Sequence, residues 1–168
     1  DLTTWYEKNA RQLAWRENPS AYHIWISEIM LQQTRVEAVK QYYARFIEEL
    51  PTIEHLANVS EEKLLKLWQG LGYYNRAKNL KKAAIEIMEQ HNGIIPNSYE
   101  KLLSLKGIGE YTAGAIASIA FGLPEAAVDG NVIRVLSRLY ADNRRSIELK
   151  KEIAKNIKEV LQHTNPSI

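Results

Sequence analysis

The segment Ser104-Leu105-Lys106-Gly107-Ile108-Gly109-Glu110-Tyr111-Thr112-Ala113-Gly114-Ala115 constrains the fold more than any other, because it joins two helical patterns through a tight Gly-x-Gly turn. Gly107 and Gly109 can take backbone angles closed to other residues, so successive N–H groups can turn outward at the start of the next helix. Such an array attracts anions, phosphate among them. The helix that follows, from Glu110 to Phe121, is rich in Ala and Gly and can therefore pack closely. The pattern reads as a helix-hairpin-helix. The plainer alternative is an ordinary Gly-containing helix connection.

Helical spacing dominates the rest of the chain and no alternating strand pattern is found, so the expected fold is all-α. Thr34-x-x-Glu37 resembles a capping box ahead of Val36, Val39, Tyr43, Phe46, Ile47 and Leu50, with Pro51 ending that helix. Ser60 and Glu61 open a shorter helix through Trp68. Asn75 is a candidate cap for the next, which carries Leu80, Ala83, Ala84, Ile87 and Met88 on one face and stops at Gly93. Ser98 opens the first helix of the hairpin, and Gly122 with Pro124 closes the second. The last helical register runs from Ile147 to Leu161.

Two acidic residues stand out from this frame. Val128-Asp129-Gly130-Asn131-Val132 sets a carboxylate just before a new apolar helical pattern, where Asp is by itself a good N-cap. Following a phosphate-binding turn, the same carboxylate is also where an enzyme acting on DNA needs negative charge, to stabilise a cation developing on the sugar. Glu28 interrupts the apolar run Ile24, Trp25, Ile26, Ile29, Met30 and Leu31. It either faces solvent from an amphipathic helix or has a task, since charged residues are rarely buried without one.

At 168 residues and 45% hydrophobic composition the chain suffices for one compact domain, or for a domain and a fragment. A net charge of +2 is too small to announce a nucleic-acid binder, so any basic surface must be local. No apolar run is long enough to cross a bilayer and no secretory leader is visible, which makes a soluble intracellular protein the expectation. The absence of cysteine removes disulfides and thiolate metal sites from this chain.

Together, Ser27-Glu28-Ile29-Met30-Leu31-Gln32-Gln33-Thr34, Trp68-Gln69-Gly70-Leu71-Gly72-Tyr73-Tyr74-Asn75-Arg76-Ala77, the hairpin and the segment Val128 to Val132 closely resemble the MutY-type adenine DNA glycosylases of the endonuclease III superfamily. The resemblance runs from about Trp5 to about Leu139 and rests on separate motifs in the right order. It implies a helix-hairpin-helix glycosylase fold: a six-helix barrel over residues 19–128, with 1–18 and 129–168 forming part of a second helical lobe and a cleft between the two. It further implies a monomer, cytoplasmic and nucleoid-associated as in bacteria, that acts on double-stranded DNA containing adenine mispaired with 8-oxoguanine or guanine.

The resemblance also implies roles. Glu28 becomes the general acid that protonates the departing adenine, and Asp129 the carboxylate that stabilises an oxocarbenium-like sugar. Two carboxylates can divide that labour. Tyr111 and Asn131 match positions that hold this pair, although Asn131 also suits a capping role. Superfamily members that act as lyases carry Lys where Tyr111 stands, because a Schiff base needs an amine, so a monofunctional hydrolase is expected. Base removal requires flipping of the nucleotide. Gln33 and Tyr73 match residues that wedge into the duplex, beside Gln32 and Thr34; Leu31 would help form the adenine pocket, and Arg16 lies near the flipped base. Tyr73 could otherwise be a half-buried aromatic and Arg16 a plain surface charge.

The family usually binds a 4Fe-4S cluster through four Cys shortly after the last helix seen here. The expectation is therefore a chain that binds no cofactor or metal itself, the cluster ligands lying beyond residue 168 of a longer protein, with a natural lack of the cluster as the other reading. Rival functions are a thymine-mismatch glycosylase, which shares the Glu and Tyr positions, and a helix-hairpin-helix module that only binds DNA. A pure binder gains nothing from two acids facing a polyanion.

Overall fold

A computed structural model describes residues 2–17, 19–142, 144 and 147–164, residues 2 and 3 by backbone alone. The chain forms two compact units, one comprising the residues through Pro96 together with Leu105–Gly107, the other Asn97–Ser104 and the chain from Ile108 onward. Among the described residues every regular element is helical, as the spacing predicts. The ends of the expected second lobe, at residues 1, 18 and 165–168, lie outside the described residues.

The first unit contains α1 (Leu2–Asn9), α2 (Ala14–Glu17), α3 (Ala21–Leu31), α4 (Val36–Glu49), α5 (Ile53–Asn58), α6 (Glu61–Trp68) and α7 (Asn75–His91). Helix α3 packs on α2, α4 and α7, while α5 and α6 also pack on α7. Trp25, Ile26 and Met30 of α3, Val39 and Phe46 of α4, Leu64 and Trp68 of α6 and Leu80 and Ile87 of α7 are removed from solvent. Burying each such side chain contributes about 1.5–3 kcal/mol before conformational entropy is subtracted. Phe46 meets Trp68 edge to face at 6.0 Å, and Trp15 meets Tyr43 in the same way at 5.2 Å.

Capping follows the sequence in part. Ser60 Oγ accepts from the Lys63 amide and Ser20 Oγ from that of His23. The capping box expected at Thr34 is not formed. Arg35 is the N-cap residue of α4 and, as a donor without an acceptor, makes no side-chain cap bond, while the Thr34 hydroxyl one residue earlier is engaged with the Gln32 carbonyl and the Arg76 guanidinium. Nor does Asn75 cap α7. It is the first residue of that helix, with Tyr74 ahead of it. Helix α5, capped by Thr52 Oγ1, was not anticipated: it is too short to show a periodic pattern.

The second unit contains α8 (Tyr99–Ser104), α9 (Glu110–Ala115) continuing into a π-helical segment (Ile116–Ala120), α10 (Gly130–Leu139) and α11 (Ile147–Leu161). Ser118 Oγ donates to the Gly114 carbonyl at 2.8 Å within the widened turn. A side chain at Gly114 would overlap the Ala126 carbonyl, so the small residues of this helix do permit close approach of the following chain. Val128, Leu149 and Ile153 form a small core, covered by Val132, Ile133 and Leu136 of α10 and Ile157 of α11. Among the described residues, three ion pairs join α11 to chain outside it: Lys150 to Glu110 at 2.7 Å, Lys158 to Glu125 at 2.6 Å and Glu152 to Arg144 at 3.0 Å.

Candidate active site

In the first unit the candidate residues lie on α3 and on two turns that follow helices. Most of α3 is buried, Tyr22, Ile24 to Ser27, Ile29 and Met30 among it, whereas Ala21, His23, Glu28 and Leu31 are only partly so. Glu28 and Leu31 are three residues apart and share one helical face. Glu28 is thus a partly buried acid on a mostly apolar helix, and it is engaged in an interaction within the protein.

Helix α3 ends at Gln32, and the chain then reverses through Gln33, whose φ of 58° is left-handed. The second turn, after α6, uses Gly70 and Gly72 at φ 103° and 72° and then Tyr73 at φ 48°. Left-handed backbone is costly for residues with a Cβ, at about 1–2 kcal/mol each. Gln33 and Tyr73, the two residues expected to wedge into the duplex, are therefore held in unfavourable backbone conformations, and both side chains are exposed, Tyr73 by 65%. Such strain persists only where the surroundings enforce it.

Arg76 bridges the two turns. Its Nη1 donates to the carbonyls of Ile29 (2.8 Å), Met30 (3.1 Å) and Gln32 (2.7 Å), which are left open at the end of α3. Nη2 donates to Thr34 Oγ1 at 3.4 Å and to the carbonyls of Leu71 and Gly72 at 3.1 and 3.3 Å. The guanidinium also lies 5.4 Å from the Trp68 ring centre and 5.6 Å from that of Tyr73. Burial pulls the Arg76 pKa below its ordinary value. No role for Arg76 was read from the sequence. The available signal was a lone Arg directly after a Gly-rich turn, which spacing alone does not distinguish from a surface charge.

Arg16 is exposed, its guanidinium 5.8 Å from the Tyr6 ring. Gly107, also in the first unit, has φ 80°, and a Cβ there would come within 2.7 Å of Asn79 Cβ on α7. Here glycine is required both by conformation and by space.

Gly109, in the second unit, corrects the expectation that both glycines need angles closed to other residues. Its φ of −97° and ψ of 177° are extended, open to any residue, and a Cβ would meet nothing within 4 Å. Nothing inside the protein demands glycine there, so the bare backbone remains accessible ahead of α9. Tyr111, the second residue of that helix, is partly buried and engaged in an interaction within the protein. The neighbouring Glu110 carboxyl is held below its ordinary range by its hydrogen bond to Lys150.

Asp129 caps α10. One carboxylate oxygen accepts the amides of Asn131 and Val132, both at 2.9 Å, and the other accepts Asn131 Nδ2 at 2.8 Å. The capping geometry weighed for Asp129 is thus realised, and Asn131 is a partner of this carboxylate. The two functions are compatible: the cap fixes the carboxylate's orientation, and Oδ2, bonded to one amide only, keeps capacity to accept or face a positive centre. Glu28 and Asp129 belong to different units.

An all-α chain with a glycine turn ahead of a helix, one carboxylate presented from an apolar helix and another fixed at a helix N-terminus has the makings of a helix-hairpin-helix glycosylase. Residues 26–163 match the HhH-GPD superfamily of base excision DNA repair proteins, and the chain belongs to that family. It is 43% identical over 98% of its length to an adenine DNA glycosylase of Buchnera aphidicola subsp. Baizongia pistaciae (strain Bp), spanning 48% of that relative. The chain therefore covers about half the length of this curated relative. Among solved structures, a thermostable thymine-DNA glycosylase superposes with a TM-score of 0.83 at 27% identity, over 98% of this chain and 79% of that one. A trapped covalent intermediate of endonuclease III with DNA superposes with a TM-score of 0.80 at 26% identity, over 99% of this chain and 79% of that one. The cluster implied by the resemblance finds no ligands here, because four thiolates cannot come from a chain without cysteine. Among the described residues no helix is long and apolar enough to cross a membrane.

Proposed function

We propose that this chain is the catalytic part of a monofunctional adenine DNA glycosylase, which hydrolyses the N-glycosidic bond of adenine mispaired with 8-oxoguanine or guanine in double-stranded DNA. The observation that carries the reading is the 43% identity to an adenine DNA glycosylase, which extends over 98% of this chain. Residues 19–128 form the barrel of this reading, 1–18 and 129–168 part of the second lobe. The protein acts as a monomer on DNA in the cytoplasm.

Departure of a purine builds negative charge on the base and positive charge on the sugar. Glu28 donates a proton to the adenine ring and afterwards assists the attacking water; general acid catalysis of this kind is worth about 10²–10⁴ in rate. Asp129, oriented by its cap bonds and by Asn131, provides the counter-charge for the sugar cation. Gln33 and Tyr73 fill the gap left by the flipped nucleotide, with Gln32 and Thr34 shaping the turn and Leu31 lining the base pocket. Gly109 offers its backbone to a phosphate; Gly107 supports the turn before it, and Arg16 adds positive charge. Tyr111 stands where a lyase would carry its amine, so the product is an abasic site.

The test is a single-turnover assay on duplexes with adenine opposite 8-oxoguanine, guanine, cytosine and thymine, together with a duplex carrying thymine opposite guanine. Adenine release from the first two, with strand breakage only after alkali, is expected. Release of thymine instead would establish the rival substrate, and tight binding without release of any base would leave a DNA-binding module.

A further inference from the structure

Gln33 and Tyr73 lie forty residues apart in sequence, in turns that follow different helices, yet each is flanked by groups held by one side chain. Arg76 binds the carbonyl just before Gln33 and the hydroxyl just after it, at Gln32 and Thr34. It likewise binds the carbonyl just before Tyr73, at Gly72, and lies against the Tyr73 ring. The Gly72 carbonyl takes a second bond, from Trp68 Nε1 at 3.1 Å, which fixes this turn to the buried end of α6. Both wedge residues have left-handed backbone, with φ of 58° and 48°. Each conformation is unfavourable alone, and a planar fork reaching both turns at once is what can enforce the two together.

We infer that Arg76 is a positioning residue that locks the Gln33 and Tyr73 turns into one rigid element, so that the two wedge side chains enter the duplex as a unit. The inference rests on the proposed glycosylase function for its consequence, but the lock itself is a property of the free protein. Arg76 donates to protein carbonyls and a hydroxyl and is assigned no contact with substrate. Its guanidinium spans acceptors on both turns, whereas a lysine ammonium is a single point on a flexible stem and cannot reproduce the fork.

The first test uses the unmodified chain. Native-state hydrogen exchange follows the amides of Thr34 and Leu71, bonded across their own turns to Leu31 and Trp68. Under the inference both open with the same free energy and the same dependence on denaturant. Independent opening of the two turns overturns it, whether or not the protein releases adenine. The second test compares wild type, R76K, the pair Q33A/Y73A and the triple variant, with 2-aminopurine fluorescence in a duplex opposite 8-oxoguanine reporting extrusion and single-turnover kinetics reporting base release. A displacement of about 1 Å at such a position can cost about 10²-fold in rate, so R76K is expected to lose extrusion and between about 10- and 100-fold in base release while its helical signal is kept. In the Q33A/Y73A background the same substitution is expected to add little, because its effect runs through those side chains. Undiminished loss in that background, or R76K behaving as wild type, overturns the inference. Failure of the wild type to release adenine counts against the glycosylase reading and leaves the exchange test decisive for the lock.

Discussion

Alanine at Gly107 and alanine at Gly109 should have opposite consequences, although the two glycines are separated by a single residue. At Gly107 the backbone has φ 80°, which costs an L-residue about 1–2 kcal/mol. The new Cβ would also lie 2.7 Å from Asn79 Cβ, well inside the roughly 3.5–4.0 Å of ordinary carbon contact. Relief of such overpacking typically costs a further ~1–3 kcal/mol. Gly107→Ala should therefore lose about 2–5 kcal/mol of stability, which lowers Tm by at least several degrees in a chain of this size. At Gly109 neither penalty applies, because the backbone is extended and the space around it is open. Gly109→Ala should keep or slightly raise Tm, by the ~0.4–1 kcal/mol that follows from restricting the unfolded chain. Its effect falls on DNA: a methyl group standing between phosphate and amide forfeits a charge-assisted bond of about 1.5–3 kcal/mol, or roughly 10–100-fold in affinity. The loss should be alike for all duplexes, since phosphate contacts carry no sequence information. Thermal melts read beside fluorescence-anisotropy titrations provide the measurement. Equal destabilisation by both variants, or wild-type DNA affinity for Gly109→Ala, would refute the reasoning.

Asp129→Asn should stop adenine release at nearly unchanged stability, because asparagine still caps a helix, whereas Asp129→Ala should also lose about 0.5–2 kcal/mol in a denaturant melt. Equal activity of Asp129→Asn and wild type would remove the counter-charge role. Borohydride present during the reaction should trap little enzyme on DNA, and Tyr111→Lys should create trapping; efficient trapping of the unaltered chain would mean that another amine reaches the sugar. Burial raises the Tyr43 phenol to about 12, and the Tyr22 phenol, which donates to the Leu50 carbonyl at 2.7 Å, is raised as well. Raised folded-state values mean that this stability is present in full below the ordinary phenol pKa near 10 and is lost as pH climbs toward 12. Melts at pH 9 to 12 should show that decline, reduced in Tyr43→Phe; an unchanged slope in the variant would contradict the assignment.

Helices with strong caps or long apolar stripes were legible from sequence because local chemistry and tertiary packing agree there. Ser60 caps α6 as its residue type predicts, and α11 spans Ile147–Leu161 as its register predicts. Thr34 does not cap: the N-cap residue of α4 is Arg35, and the Thr34 hydroxyl meets a guanidinium forty-two residues away, a contact no local pattern encodes. Asp129 was legible in kind, since an Asp before an apolar helical run caps, but its second bond to the Asn131 amide belongs to the folded turn. Arg76 stayed hidden because its function is made of carbonyls contributed by two turns. The two glycines illustrate the same limit, as the sequence shows two equivalent residues and only the backbone distinguishes one that folding requires from one that folding leaves open.

Glu28 is the residue proposed to deliver the proton that lets adenine leave. Glu28→Gln keeps the size of the side chain but cannot act as an acid, so under single-turnover conditions with adenine opposite 8-oxoguanine it should bind duplex as the wild type does and release no measurable adenine, while the wild type leaves an alkali-labile abasic site. Near-normal base release by Glu28→Gln, or duplex binding by the wild type with no release at all, would contradict the account.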